Sequence, residues 1–128
     1  MRLKVREILP PKEKVCGEVM VIDHGISFLG DVDVEKGLIE GKYRVSGKLL
    51  MFPHAVGSTV GSYVIYGLRA KGNAPKAIIT GKEDPVTIIG CIISGIPLYV
   101  LKGSDVKELT YLSGVEACIE GGEVRFEG

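Results

Sequence analysis

The chain is predicted to be an α+β domain, a sheet layer with a few covering helices. Three observations carry that expectation. Short runs rich in Val and Ile outnumber the helical signals. Eighteen glycines fall between those runs rather than in one low-complexity tract, which reads as many short elements joined tightly. The 128 residues are 45% hydrophobic, enough to bury a sizeable core, and no repeat or linker divides them. Residues 1–128 are therefore read as a single domain.

The strand candidates are "KVCGEVMVID" (14–23), "KGLIE" (36–40), "VSGKLLMF" (45–52), "KAIIT" (76–80) and "IPLYVL" (96–101). A final segment, "VEACIEGGEVRFEG" (115–128), reads as a hairpin turning at Gly121 and Gly122. The stretch "SFLGDVD", Ser27 to Asp33, joins two apparent strands through Gly30.

A first helix is expected from Val60, because Val60, Val64 and Leu68 recur every four residues before Gly72 stops the run. A second starts at Asp84, a good cap, with Pro85 suited to the first position, and runs to about Ser94 before Gly95. Ser104 would cap a short third helix through Leu112.

Composition excludes several functions. Sixteen basic residues balance sixteen acidic ones and no window is dense in Lys or Arg, so nucleic acid is not the expected partner. The N-terminal "MRLKVREILPPKEKV" lacks the apolar core of a signal peptide. The apolar runs "AIIT" and "VTIIGCIISGIPLYVL" are broken by Gly and Pro, short of the roughly 20 clean residues of a membrane span. A soluble cytoplasmic chain is expected. Cys16, Cys91 and Cys118 are odd in number and far apart, with neither metal-ligand spacing nor a disulfide framework; they are read as three buried thiols, not as metal ligands.

The chemistry-bearing candidate is "PHAVGSTVGSYV", Pro53 to Val64. With a strand before it and a helix after it, Ser58 and Thr59 fall at a helix N-terminus, where free N–H groups favour an anion or an ionised oxygen. Gly57 and Gly61 would let a ligand approach the backbone. The same residues also suit an ordinary cap and turn. No P-loop lysine follows the last glycine, no dinucleotide fingerprint is present, and "GSTVG" is not a nucleophile elbow. No Ser–His–acid order supports a self-sufficient hydrolase.

The ordered set "SFLGDVD", "GLIE", "VSGKLLMFPHAVGSTVGSYVIYGL", "NAPKAII" and "GCIISGIPLYV", from about Val15 to Leu101, resembles the small subunit of the aconitase X family, itself similar to the swivelling domain of aconitase. The resemblance implies a swivelling β/β/α domain with layered sheets. It is nearest the archaeal phosphomevalonate dehydratases, where the small subunit is a separate chain and a large subunit holds the iron–sulfur cluster and most substrate contacts. Their reaction removes water from (R)-5-phosphomevalonate to give trans-anhydromevalonate 5-phosphate. In aconitases a serine of the equivalent turn is the base; that position matches Ser58, and the second hydroxyl matches Thr59.

The resemblance also implies that Ser27, Phe28 and Gly30 of "SFLGDVD" face the substrate cleft; the alternative is a polar turn. Aconitase itself has an arginine just after its serine pair, where Val60 stands here, which disfavours citrate. Relatives that dehydrate hydroxyproline, and a non-catalytic regulatory module, are the competing functions. His54 is either a contact to partner or phosphate, or a loop histidine facing solvent; His24 is read as a turn residue and Lys76 as solvated.

Overall fold

Every side chain of "LLMF" is buried, yet successive ones enter different cores, because a strand points its side chains alternately to its two faces. Leu49 and Met51 join one apolar cluster, Leu50 and Phe52 another. The same split separates Ala77 and Ile79 from Ile78, and Tyr99 and Leu101 from Leu98. Strands buried on both faces read as continuous apolar runs. They form one wall of a barrel.

The computed structural model of the chain describes residues 1–127. Its elements are β1 (Arg2–Leu9), β2 (Val15–Val21), α1 (Phe28–Asp31), β3 (Val32–Asp33), β4 (Leu38–Ile39), β5 (Tyr43–Arg44), β6 (Leu49–Phe52), α2 (Ser62–Ala70), β7 (Ala77–Thr80), α3 (Pro85–Ser94), β8 (Leu98–Lys102), β9 (Glu116–Glu120) and β10 (Glu123–Phe126). The barrel closes in the order β1-β10-β9-β2-β6-β7-β8, with β8 returning to β1. Strands β2, β6, β7 and β8 are mutually parallel, and the other pairings are antiparallel. A small sheet, β3-β4-β5, lies in the β2 to β6 connection. The sheet layer expected from the sequence is thus a closed barrel with helices on one side.

The helices pack on the outer face of the parallel strands. Asp84 caps α3 by accepting from the Thr87 N–H, Pro85 opens it and Gly95 closes it in the left-handed conformation at φ 67°, as the sequence predicts. A Cβ built on Gly90 would lie 2.4 Å from Ile65 Cδ1, so the glycine lets α3 approach α2 closely. No described helix is long and apolar enough to cross a membrane.

Five expectations need correction. The N-terminal segment, not among the strand candidates, is β1: Leu3 and Val5 point into the barrel between exposed Lys4 and Arg6. The "SFLGDVD" stretch contains the short α1 rather than a bare link between strands. The buried face of α2 is Ser62, Ile65 and Leu68, while Val60 is 53% exposed, because a 3-10 turn at Thr59–Gly61 precedes the helix and rotates its start. The third helix is two 3-10 turns, Val106–Glu108 and Thr110–Leu112, the first capped by Asp105 rather than Ser104. Finally, Cys16 and Cys118 are not free thiols. They face each other across the β2–β9 ladder and form a disulfide.

That bond closes a loop of 102 residues in sequence separation, containing all three helices. Disulfides typically contribute about 2–4 kcal/mol, with loop length favouring the upper end. Reduction, or the double change Cys16→Ala and Cys118→Ala, should lower stability by about that amount, measured by denaturant titration with and without reductant. An unchanged midpoint would show that the crosslink adds nothing.

Candidate functional site

Because β2, β6 and β7 run in the same direction, the segments that follow them leave from one rim of the barrel. These segments keep pairing beyond the strands. The Ile22 N–H donates to Met51 O at 2.9 Å, and the Gly81 N–H to Pro53 O at 2.9 Å. Ile26 and Ala55 form a parallel bridge, through Ile26 N–H to His54 O at 3.1 Å and Val56 N–H to Ile26 O at 2.9 Å. The two loops singled out from the sequence, Ser27 to Asp33 and Pro53 to Thr59, therefore stand side by side. In sheets with parallel strands, ligands gather outside the carboxyl ends.

Ser58 is the N-cap of the 3-10 turn, extended at φ −81° and ψ 165°, and its side chain makes no capping hydrogen bond. It is exposed, as is Thr59. The turn is held instead by its backbone, with the Gly61 N–H donating to Ser58 O at 3.1 Å, and by the Ser62 hydroxyl donating to Thr59 O at 2.6 Å. The α-helix starts one 3-10 turn later than expected, with Gly61 at its cap. Gly57 sits at φ 95° with nothing within 4 Å of a would-be Cβ, so conformation rather than space requires glycine there.

Gly61 is placed differently from Gly57. It is buried, and a Cβ on it would meet Val86 Cγ1 at 3.3 Å and Phe28 Cβ at 3.4 Å, so its smallness serves packing. The Phe28 side chain turns inward as well. It is 1% exposed and meets the Phe52 ring edge-on, centroids 5.7 Å apart; an aromatic side chain at the first helical position finds the core before it finds a cleft. Ser27 caps α1 by accepting from the Gly30 N–H at 3.3 Å, while Asp31 accepts from the Ser27 N–H at 3.1 Å. Gly30 is exposed at the rim. Leu29, Val56, Val60 and Tyr63 expose apolar side chains around the same turn.

Sequence reasoning missed two linkages here. The Asp84 carboxylate accepts from the Ala55 N–H at 3.0 Å as well as capping α3. His24, read as a plain turn residue, bonds Asp23 at 2.9 Å through Nδ1 and Glu40 at 2.8 Å through Nε2. Glu40 is in the left-handed region at φ 55°, and its N–H donates to Asp31 O at 2.7 Å. Neither link had a local signal, since the partners lie 29 and 16 residues apart. Lys76 donates to Cys16 O at 2.9 Å rather than only to solvent. His54 is half-buried, its carbonyl spent on Ile26.

The described residues do not fit an iron–sulfur cluster. Two thiols are joined, and the third, Cys91, is buried, which pushes its thiol up to about 12. No group of three or more His, Cys, Asp or Glu among them is placed to hold a metal.

The sequence profile described as the aconitase X swivel domain matches residues 2–124. The chain belongs to that family. It is 44% identical to the protein named phosphomevalonate dehydratase small subunit of Pyrococcus abyssi, over 100% of both chains. It is 42% identical to the protein of the same name from Thermococcus gammatolerans, over 97% of this chain and 96% of that one. Among solved structures, it is similar to the holo-form of Thermococcus kodakaraensis aconitase X, with a TM-score of 0.84 and 40% identity over 100% of this chain and 99% of that one. The aconitase X swivel domain described here thus has its serine turn and its "SFLGDVD" loop on one rim.

The hydrogen bonds to Asp23 and then Glu40 raise the His24 pKa above its ordinary 6.5. Asp23, Glu40 and, near Asp23, Lys107 are the charged groups that bear on this cluster. A raised folded value means the stabilisation is fully present below 6.5 and is lost as pH rises through the folded value. His24→Ala should therefore melt below the unaltered chain by most near the acid end of a scan from about pH 5 to 9, the gap narrowing upward. A gap independent of pH would remove the charged clamp.

Proposed function

We propose that this chain is the small subunit of a phosphomevalonate dehydratase, one swivel-type domain that supplies Ser58 to an active site shared with a larger chain. The observation that carries the serine role is its uncommitted hydroxyl: Ser58 occupies a cap position and caps nothing. The full-length relatives carry that enzyme's name as small subunits, which supports the substrate and the partner. The iron–sulfur cluster of such an enzyme is assigned to the large subunit, since the residues here do not fit one. We place the complex in the cytoplasm.

On this reading Ser58 Oγ, as alkoxide, takes the carbon-bound proton of the hydroxy acid, while the departing hydroxyl is handled by the facing chain. The first N–H groups of a helical turn have no partner within it, and those after Ser58 are the ones available to lower the cost of its charge. Gly57, Thr59 and Gly30 would border the substrate, with Ser27 behind Gly30 as the cap of its helix. The exposed Leu29, Val60 and Tyr63 provide uncharged surface beside the turn for the larger chain.

Ser58→Ala tests the role directly. Because no capping bond is lost, its stability cost should fall below the usual cap loss of about 0.5–2 kcal/mol. Turnover of the reconstituted complex should fall at least about 100-fold, with KM changed far less. Thr59→Ala should act mainly on KM. Near-normal turnover of the Ser58→Ala complex at saturating substrate would make the chain a non-catalytic module. Turnover of hydroxyproline in place of phosphomevalonate would move it to another branch of the family.

A further inference from the structure

We infer that Asp84 is a positioning residue for the serine turn, acting through the backbone N–H of Ala55. The inference rests on the role proposed for Ser58, which it deepens. As a helix cap Asp84 needs one oxygen, and Oδ1 provides it by accepting from the Thr87 N–H at 2.7 Å. Ser, Thr or Asn would serve as well there. The second oxygen faces away from that task. Oδ2 accepts from the Thr87 hydroxyl at 2.9 Å and from Ala55 N–H at 3.0 Å, in a loop 29 residues earlier.

Asp84 is 7% exposed, so these are charge-assisted bonds little screened by water. The Ala55 N–H is free to reach it because the bridge to Ile26 uses the neighbouring His54 O and Val56 N–H instead. Beyond the Val56 N–H bond to Ile26 O the chain leaves the rim, and Val56, Gly57, Ser58, Thr59 and Val60 are all exposed. The next buried residue is Gly61, set against Val86. The serine turn is therefore an exposed arch with both feet on the first turn of α3, one at Asp84 and the other at Val86. Moving the Ala55 foot would move Ser58 Oγ without changing a residue that touches substrate.

Asp84→Ser separates the two tasks, since serine still caps the helix but is too short to reach Ala55. The control is Ile119→Val, a core truncation in the barrel interior remote from the rim. In the isolated chain, the Ala55 amide of Asp84→Ser should exchange at least about 10-fold faster than in the control, read by NMR or mass spectrometry at matched stability. In the reconstituted complex, kcat should fall about 10-fold below the control with KM within about 3-fold. If Asp84→Ser fails to fold, Asp84→Asn is read the same way, as its amide cannot accept from Thr87 N–H and Ala55 N–H together. Unchanged Ala55 exchange, or a kcat equal to that of Ile119→Val, overturns the inference. If Ser58→Ala kept turnover while Ala55 exchange still accelerated, the serine's catalytic role would fall and Asp84 would stand as the anchor of the loop.

Discussion

Three strands lying side by side and running the same way, β2, β6 and β7, set where everything else can be. Parallel neighbours cannot be joined by a tight hairpin, so each connection must travel back along the barrel, and α2 and α3 are two of those return paths. The same direction of travel puts every outgoing loop at one rim. Had β6 been antiparallel to β2, the serine turn and the "SFLGDVD" loop would lie at opposite ends. The rim is thus a product of strand polarity, before any side chain is considered.

Closure of the barrel then divides the apolar residues between two cores. Its interior holds Leu3, Val5, Val19, Met51, Ile79, Tyr99, Ile119 and Val124, drawn from the whole length of the chain. The second core, between the parallel wall and the helices, holds Phe28, Leu50, Phe52, Ile65, Ile78 and Val86. It is the second core that reaches the serine turn, where Phe28 and Val86 pack against Gly61. A destabilising change in the interior can therefore lower melting temperature while leaving the serine turn where it was. Ile119→Val is a fair control for that reason.

What the sequence made legible was local. Asp84, Pro85 and Gly95 marked α3 because a cap, a fixed φ and a left-handed stop are each single-residue properties, and Gly121-Gly122 marked the final hairpin likewise. Pairings over long separations left no such trace. Nothing near Cys16 points to Cys118, and the β1 contacts that close the barrel run to β8 and β10 at the far end of the chain. Of the Val60, Val64 and Leu68 run, Leu68 is buried and Val64 packs against the core, while Val60 turns outward because it sits in the 3-10 turn, which winds more tightly than an α-helix. Of the site, Ser58 was legible as a residue in a turn. Its freedom from capping was not, since that depends on where the backbone puts Oγ.

That freedom bears on what a serine at this position can do. A hydroxyl that accepts from a backbone N–H has spent a lone pair and is held in one rotamer, which suits a cap and hinders a base. Ser27, one loop away on the same rim, is the comparison within the molecule: it accepts from Gly30 N–H and its geometry is settled by α1. Ser58 has the extended backbone of a cap residue without the side-chain bond, and of the amides that follow it the Gly61 N–H is already spent on Ser58 O. Two serines on adjacent loops thus differ by one hydrogen bond, made by Ser27 and not by Ser58. The anchoring of the serine turn at Ala55 and Gly61, rather than through its own hydroxyl, is what makes withholding it structurally inexpensive.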